Sequence, residues 1–176
     1  MPGQRGICTN NNIMNESATH VYFFGSQYSQ WCASSIIEGD ITFNCAEQYM
    51  MYWKALAFGD LKSRDAILAA SEPWEQKALG RKVRGFNDTR WDLIKEQVVY
   101  QANYLKFTQN LDMKKVLLEN HKGKIFVEAS PTDVVWGIGL ALESPLIYDE
   151  KNWRGTNLLG KAINKVQEVL LKKAHV

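Results

Sequence analysis

The chain has 176 residues, 45% of them hydrophobic, and a formal net charge of +2 at pH 7. This length can bury one substantial core, and the balanced charge lacks the positive excess of a dedicated nucleic-acid-binding protein. The three cysteines have no Cys-x-x-Cys spacing, which argues against a disulfide framework or a structural zinc site and favours a reducing compartment. Because the sequence also lacks a run of about 20 apolar residues and an apolar signal core, it predicts a cytoplasmic, single-domain protein with no membrane contact.

The N-terminal part of the chain indicates an arm followed by short strands. Residues 1–20 are polar and rich in Asn, Ser and Thr without periodicity, and they predict a flexible N-terminal arm before a domain of residues 21–174. Val21–Phe24 and Ile36–Phe43 are β-branched and aromatic runs. The Glu-Gly-Asp turn inside the second run predicts two short strands or a hairpin.

Helical periodicity dominates the rest of the chain. A segment that starts at Asn44 or Cys45 has apolar residues at helical spacing as far as Phe58, and the stop signal Gly59 follows. Further helices are predicted from about Lys62 to Ala70, from Trp74 to Leu79, from the residue after the cap Asn87–Thr89 towards Phe107, from Asp112 to Glu119 and from Leu158 to Lys173. A strand is predicted over Lys124–Ala129. The sequence therefore favours a mainly α fold with a few short β-strands.

Glu47 and Lys54 are the first candidates for chemistry. They are seven residues apart, so on a helix they share a face, where a carboxylate and an amine could reach one side of a cleft. Burial there can shift the pKa of either group towards neutrality. The alternative is structural, because a first-turn Glu commonly offsets the helix dipole and a helix Lys is usually solvated.

Asp133 and Trp136 form a second candidate pair. Asp133 precedes the Gly-containing apolar run Val134–Leu140, where the backbone can approach a ligand closely. The Trp136 indole could stack on a flat heterocycle, a contact worth roughly 1–3 kcal/mol per base. The structural alternatives are that Asp133 ties a turn and that Trp136 belongs to the core.

Two loops could hold a phosphate or a sugar. Trp153–Gly160 leads into the last predicted helix, where free backbone amides can meet a phosphate and Asn157 can orient a sugar hydroxyl. Gly80–Gly85 is a compact basic loop that includes Arg81. Structural alternatives are open here too, because Asn157 could fix the start of the helix and the basic loop could be a solvated charge run.

Common catalytic signatures are missing from the sequence. It contains no dinucleotide-binding Gly-x-Gly-x-x-Gly after a strand, no P-loop, no Gly-x-Ser-x-Gly and no His-Glu-x-x-His. The histidines are dispersed, which disfavours a histidine base or a metal cluster. The remaining interpretation is a mechanism without metal or cofactor, built on carboxylates and Lys54.

Several segments, in order, carry a family resemblance. The segments are Phe24–Ser26, Ala46–Ala55, Gly80–Val83, Trp91, Lys106–Asn110, Glu128–Asp133, Trp136–Gly139 and Trp153–Gly160. In this order and spacing they make residues 21–172 resemble the YbiA/NADAR superfamily. The sequence departs from the family pattern at Gln30, beside Trp31, where the family often has Asn.

The resemblance implies a compact, single-domain, mainly α fold like that of YbiA, and N-glycosidase activity on ribosylated amines. The family's substrates are early phosphoribosylaminopyrimidine intermediates of riboflavin synthesis and ADP-ribose attached to guanine bases. The expected partner is therefore a phosphorylated ribosylamine or an ADP-ribosyl substrate, with ADP-ribosylated nucleic acid included. In each, an amine nitrogen is bonded to C1 of a phosphorylated ribose.

The resemblance also assigns roles to individual residues. Glu47, Lys54 and Asp133 match positions of the family's proposed site and are the candidate catalytic residues. The candidate substrate-binding residues are Trp136, Trp91, Arg81, Asn157, Gly160 and Ser26. Of these, the two tryptophans would sandwich the base and Arg81 would bind phosphate.

Two mechanisms and two functions are open at this point. As the C–N bond breaks, C1 gains oxocarbenium character, which Asp133 and Glu47 could stabilise while dividing the proton transfers. Alternatively, the Lys54 amine attacks C1 of a ring-opened ribosylamine and forms a Schiff base that water resolves. The competing function is a non-catalytic module that binds ADP-ribosyl or NAD-derived groups. A helical scaffold or nucleic-acid partner is disfavoured by the near-neutral charge.

Overall fold

The computed structural model describes residues 14–174, and these residues fall into two compact units. One unit spans Gln30–Asn110, and the other combines residues 14–29 with residues 111–174. Within this described part, strands build two sheets alongside the helices, so the fold is mixed α/β and the prediction of a mainly α fold is wrong. No helix in residues 14–174 combines the length and the apolar character that a bilayer span needs.

The secondary structure largely follows the predicted elements. The strands are β1 (Met14–Glu16), β2 (His20–Phe23), β3 (Ala33–Glu38), β4 (Ile41–Cys45) and β5 (Ile125–Glu128). The helices are α1 (Ala46–Ala57), α2 (Leu61–Ala69), α3 (Pro73–Gly80), α4 (Asp88–Asp92), α5 (Lys95–Gln109), α6 (Leu111–Lys115) and α7 (Leu158–Ala174). The helix predicted between the cap Asn87–Thr89 and Phe107 is divided into α4 and α5, and α4 already begins at Asp88. Apolar spacing continues across the division, so periodicity could not locate it.

The unit Gln30–Asn110 is built on a β-hairpin and the helices α1 to α5. Strands β3 and β4 pair antiparallel, with Ile37 opposite Thr42, and the predicted hairpin is confirmed. Gly39 in its turn has φ +59°, a conformation that glycine adopts without steric cost. Helix α1 packs against α2, α3 and α5, and α5 also packs against β3, so α1 is the central helix of this unit.

A buried amide fixes α2 against α1. The Gln48 Nε2 atom donates to the carbonyl oxygens of Ile67, Leu68 and Ala70, each at 3.1 Å. Carbonyl groups at a helix end lack partners within the helix, and burying them unpaired is costly. Gln48 therefore satisfies the end of α2 and holds α1 in a fixed orientation, which positions the neighbouring Glu47.

The second unit contains a three-stranded sheet and α7. Strand β1 pairs antiparallel with β2, and β2 pairs parallel with β5, with His20 opposite Ile125. Helix α7 packs on β5. Strand β1 lies within the predicted arm of residues 1–20, so part of that arm is paired, and residues 1–13 lie outside the described range. The core cluster of this unit is Tyr22, Val127, Ala129, Ile138, Leu140, Leu142 and Ile147.

The cysteines do not all behave as their spacing predicts. Cys45 is a buried free thiol, whereas Cys32 is disulfide-bonded. One bonded cysteine does not amount to a disulfide framework, and Cys8, the third cysteine, lies outside the described residues. An odd cysteine count does not exclude a single pair, so composition could not decide this point.

Candidate functional site

Helix α1 places Glu47 and Lys54 as the sequence predicts, on one face two turns apart. The helix begins after Cys45, whose Sγ atom accepts a hydrogen bond from the Gln48 backbone N–H at 3.4 Å. Glu47 lies in the first turn, where a carboxylate interacts favourably with the helix dipole, yet its side chain is only 2% exposed. A carboxylate so deeply buried is unusual for a residue that serves only as a surface dipole partner.

Aromatic rings surround the Lys54 amine. Its Nζ atom lies 4.1 Å from the centroid of the Phe86 ring and 6.0 Å from that of Trp91. Among the described residues, no group forms a hydrogen bond or an ion pair with the Lys54 Nζ atom. The amine is therefore held by packing and ring contacts and keeps its hydrogen-bonding capacity for a ligand.

Charges from three segments also act on Lys54. Burial lowers the pKa of Lys54, and Arg81 lowers it further because two positive charges repel. The negative charges of Asp88 and Glu47 oppose this shift. A lysine with a lowered pKa has a larger fraction of neutral, nucleophilic amine near pH 7 than an ordinary lysine does.

Arg81 and Trp91 flank Lys54 with different exposure. Arg81 follows α3 and is exposed, so its guanidinium is accessible to an anionic ligand. Trp91 in α4 is 8% exposed, so only a small part of its ring system faces outward. Phe86, which the sequence analysis did not single out, is 38% exposed and lies nearer to the Lys54 amine. An aromatic residue beside the basic loop was the only sequence signal for it.

A second lysine, Lys106 of α5, is completely buried in the same unit. Burial lowers the pKa of Lys106 to about 7, and the nearby Cys45 thiol opposes the shift slightly. Burial raises the pKa of Cys45 to about 12, with a further rise from the charge of Glu47. Lys106 and Glu47 are thus both close enough to Cys45 to influence it. The segment Lys106–Asn110 was recognised in the sequence as part of the family pattern, but without a role.

This unit also contains a cavity, which is lined by a different set of residues. A cavity of about 670 Å³ is bordered by the hairpin and the end of α2, with Ser34, Thr42, Asn44 and Asn110 in its lining. Its amide groups are occupied, since Asn44 donates to the Ser71 carbonyl oxygen and Asn110 to that of Ser35. None of the predicted site residues lines it, so the surroundings of Lys54 are the better candidate site.

In the second unit, Asp133 ties a turn that leads to Trp136. The Asp133 Oδ1 atom accepts hydrogen bonds from the backbone N–H groups of Val135 and Trp136, at 2.9 and 2.7 Å. The structural alternative for this residue is therefore observed. Its second carboxylate oxygen, Oδ2, has no hydrogen-bond partner among the described residues, so a further role in chemistry is compatible with the turn.

Asn157 and Gly160 hold the start of α7 against β5. The Asn157 side chain accepts from the Glu128 N–H at 3.0 Å and donates to the Phe126 carbonyl oxygen at 2.9 Å. Its backbone has φ +51°, and a methyl group at Gly160 would collide with the Phe126 carbonyl oxygen. Both residues thus have structural tasks, and the Asn157 amide is already engaged.

The predicted site residues are divided between the two units. Lys54 interacts with Glu47, Arg81 and Trp91 in the first unit. In the second, the turn of Asp133 and Trp136 joins the start of α7, because the Trp136 carbonyl oxygen accepts from Leu159 N–H at 3.1 Å. Ser26 lies in another turn of the second unit, where its buried hydroxyl accepts from the Tyr28 N–H at 3.2 Å. Within residues 14–174, no three His, Cys, Asp or Glu side chains cluster as metal ligands.

Comparisons with known proteins place this geometry in context. The NADAR domain family matches residues 14–171. N-glycosidase R617 of Acanthamoeba polyphaga mimivirus is 42% identical over 87% of this chain and 97% of its own length. N-glycosidase Npun_R5314 of Nostoc punctiforme is 32% identical over 80% of this chain and 83% of its own length. The NMR structure of the E. coli protein YbiA shares the fold, with a TM-score of 0.73 and 23% identity over 97% of this chain and 95% of that one.

Proposed function

Because the chain belongs to the NADAR domain family and is a hydrolase of N-glycosyl bonds, we propose that its substrate is a phosphorylated ribosylamine. The bond it would cleave joins C1 of the ribose to an amine nitrogen. The observation that carries the proposal is the Lys54 amine, half-buried among rings and next to the charges of Glu47 and Arg81. This arrangement offers a nucleophile, a carboxylate and a phosphate-binding cation in one small region.

The state of Lys54 supports the covalent mechanism over one that uses carboxylates alone. Its lowered pKa increases the fraction of neutral amine, and its Nζ atom has no competing hydrogen-bond partner in the described part of the chain. Attack on a carbonyl-like carbon needs the neutral amine, and both properties favour it. A purely electrostatic role at an oxocarbenium ion would instead favour an ionised carboxylate close to C1 and gain nothing from a neutral amine.

The proposed reaction balances without a further reactant. Ring opening leaves C1 doubly bonded to the amine nitrogen of the substrate. The Lys54 nitrogen adds to C1 and gives up two protons in all, and both bonds from C1 to the leaving nitrogen break as that nitrogen gains two protons. The product is a Schiff base between Lys54 and the sugar. Water then adds to C1, and the C1–Nζ bond breaks to release the free sugar phosphate and the lysine. The buried Glu47 is suited to transfer these protons.

The binding roles follow from exposure and charge. Arg81 is exposed beside Lys54 and is proposed to bind the phosphate. Trp91 is proposed to contact the base, and a role of Trp136 in binding stays a prediction. The contributions of Asp133, Asn157, Gly160 and Ser26 stay predictions, and the structural tasks of the last three predict that their substitution changes stability as well as binding.

The test is direct product analysis. Purified protein is incubated with a guanine oligonucleotide carrying ADP-ribose and, separately, with the ribosylaminopyrimidine phosphate, and the released base and sugar are measured by mass spectrometry. Release from one of them supports the proposal and identifies the member of the class. Binding of either compound with its return intact would contradict the proposal and support a binding module instead. A mock purification from cells that do not express the chain is the control for contaminating activity.

A further inference from the structure

Phe86 is a surface aromatic residue that has no role in the proposed reaction as described so far, although it lies close to the Lys54 amine. Its ring is 38% exposed and lies 4.1 Å from the Lys54 Nζ atom. This distance is well within the range of a cation–π contact, which extends to about 6 Å. It is also shorter than the corresponding distance to Trp91, 6.0 Å. Phe86 is therefore the principal ring contact of the Lys54 amine.

The ring is held in place by its neighbours. Phe58, at the end of α1, packs against Phe86 edge to face with 5.2 Å between the ring centroids. The preceding residue, Gly85, has φ +71°, which an L side chain rarely adopts, so the chain turns sharply before Phe86. Arg84, one residue earlier, is anchored to the buried Asp60. An exposed ring with these constraints is fixed rather than free to rotate away.

The Lys54 side chain has few other constraints. Four flexible carbons carry its amine, and none of the described residues fixes the Nζ atom through a hydrogen bond. The charged groups that act on it are Glu47 from α1, Asp88 from the first turn of α4 and Arg81 after α3. These charges act on Lys54 over longer distances. They change the pKa of its amine but do not fix the direction in which the amine points.

We propose that Phe86 is a positioning residue for the N-glycosidase reaction, whose ring holds the Lys54 amine in the orientation from which it attacks C1. The inference rests on the proposed role of Lys54 as the nucleophile. A well-placed nucleophile reacts faster because the orientation is fixed before the reaction begins. The ring also stabilises the protonated amine. Its effect on the pKa of Lys54 is therefore opposite to that of burial.

The experiment compares Phe86→Leu and Phe86→Tyr with the unchanged protein. Leucine keeps most of the apolar volume but removes the π face, whereas tyrosine keeps it. Trp74→Leu is the control, since Trp74 is an exposed aromatic residue of α3 in the same unit and has no role in the proposed site. Two readouts are taken: kcat and KM on the cleaved substrate, and the pH dependence of Lys54 labelling by an amine-reactive reagent, followed by mass spectrometry.

The labelling readout does not depend on turnover. Labelling needs the neutral amine, so it rises with pH through the pKa of Lys54. Loss of the ring contact in Phe86→Leu is expected to move the labelling midpoint down by about 0.4–1.5 pH units, the equivalent of a cation–π contact. Phe86→Tyr and Trp74→Leu are expected to keep the original midpoint.

The turnover readout separates positioning from folding. Phe86→Leu should lower kcat by about ten-fold or more while KM changes little, and Phe86→Tyr should restore it. An unchanged midpoint and unchanged kcat in Phe86→Leu would overturn the inference, as would a kcat loss that Phe86→Tyr shares. If the unchanged protein cleaves neither substrate but the midpoint shifts as expected, the proposed substrate class fails while the contact between Phe86 and Lys54 stands.

Discussion

The Arg84 guanidinium donates a hydrogen bond to the buried carboxylate of Asp60, with Nη2 2.7 Å from Oδ1. The Arg84 backbone N–H donates to Oδ2 of the same carboxylate at 2.9 Å, and the Ser63 hydroxyl donates to that oxygen at 2.7 Å. These bonds hold the pKa of the Asp60 carboxyl well below its usual range. One arginine of the basic loop Gly80–Gly85 is therefore engaged in an ion pair, and the loop is anchored next to α2.

We expect Asp60→Asn to lower the melting temperature at pH 7 by several degrees, because Arg84 loses its charge partner. The folded-state pKa of Asp60 is depressed, so its contribution is present above about pH 4, the unfolded value, and is lost as the pH falls towards the folded value. The difference in melting temperature between the variant and the unchanged protein should therefore shrink below about pH 4. Thermal unfolding monitored by circular dichroism at neutral and acidic pH measures it.

The matched control is Asp92→Asn, which removes an exposed ion pair with Lys95. Exposed pairs contribute little, so this variant should melt within about a degree or two of the unchanged protein. Equal stability of Asp60→Asn and Asp92→Asn at pH 7 would contradict the anchoring role.

Lys54 should be trapped by borohydride in the presence of substrate. Reduction of the Schiff base would leave the sugar phosphate on the Lys54 peptide, which tandem mass spectrometry locates. Lys54→Arg should give no adduct and should lose turnover by about 100-fold or more, since arginine stays protonated and is a poor nucleophile. Lys62→Arg, on the exposed side of α2, is the control and should resemble the unchanged protein. Normal turnover in Lys54→Arg would exclude the covalent route.

Glu47→Gln tests the proton-transfer role. We expect turnover to fall by about 10²–10⁴, the usual contribution of a general acid or base. Because the Glu47 charge raises the pKa of Lys54, the variant should also show a Lys54 labelling midpoint shifted to lower pH. Glu75→Gln, at an exposed position of α3, serves as the control. Turnover near normal with a cooperative melt would remove Glu47 from the mechanism.

Two substitutions at Asp133 distinguish its turn from its chemistry. Asparagine keeps an oxygen acceptor for the Val135 and Trp136 N–H groups, so Asp133→Asn should melt like the unchanged protein. Asp133→Ala leaves both donors without their acceptor and should cost about 1 kcal/mol of stability. If Asp133 takes part in the reaction, Asp133→Asn should lose at least about 100-fold in turnover despite its stability. Full activity of Asp133→Asn would show that Asp133 stabilises the turn and takes no part in the reaction.

Lys106 should make stability depend on pH above neutrality. Its folded pKa is about 7, whereas an unfolded lysine titrates near pH 10.4. Between these values the unfolded chain binds a proton that the folded chain lacks, so this residue destabilises the fold at pH 7 and less so as the pH rises. Relative to Lys106→Met, the unchanged protein should gain up to about 1.4 kcal/mol per pH unit between about pH 7 and 9.

Urea unfolding at several pH values measures this dependence. Lys62→Met, at an exposed position, should keep the dependence of the unchanged protein and is therefore the matched control. Identical pH profiles for Lys106→Met and the unchanged protein would show that Lys106 has an ordinary pKa in the folded state.

The sequence was sufficient for features that depend on neighbouring residues. Hydrophobic spacing predicted α1 with a start at Asn44 or Cys45, and the Glu-Gly-Asp turn predicted two short strands or a hairpin where β3 and β4 form. The same periodicity placed Glu47 and Lys54 on one face. In each case the signal is local, because helix periodicity and turn conformation are set within a few residues.

The fold class needed contacts between distant parts of the chain. The parallel pairing of β2 with β5 joins His20–Phe23 to Ile125–Glu128, and β1 forms only by pairing with β2. Such short strands contain too few residues for a clear alternation of apolar and polar side chains. The helical periodicity therefore dominated the prediction, which was a mainly α fold. Their stability comes from ladder hydrogen bonds and from packing of α7, which no window of the sequence contains.

The amino-acid sequence by itself determined the helix that carries Glu47 and Lys54, the hairpin before it and the membership of the NADAR domain family. Only the tertiary structure decided that Phe86 covers the Lys54 amine, that Arg84 pairs with Asp60 and that Asn157 is engaged in holding α7 against β5. The physical reason is that spacing along the chain specifies direction within one helix or strand, whereas burial, ring contact and charge pairing depend on segments that meet only when the chain has folded.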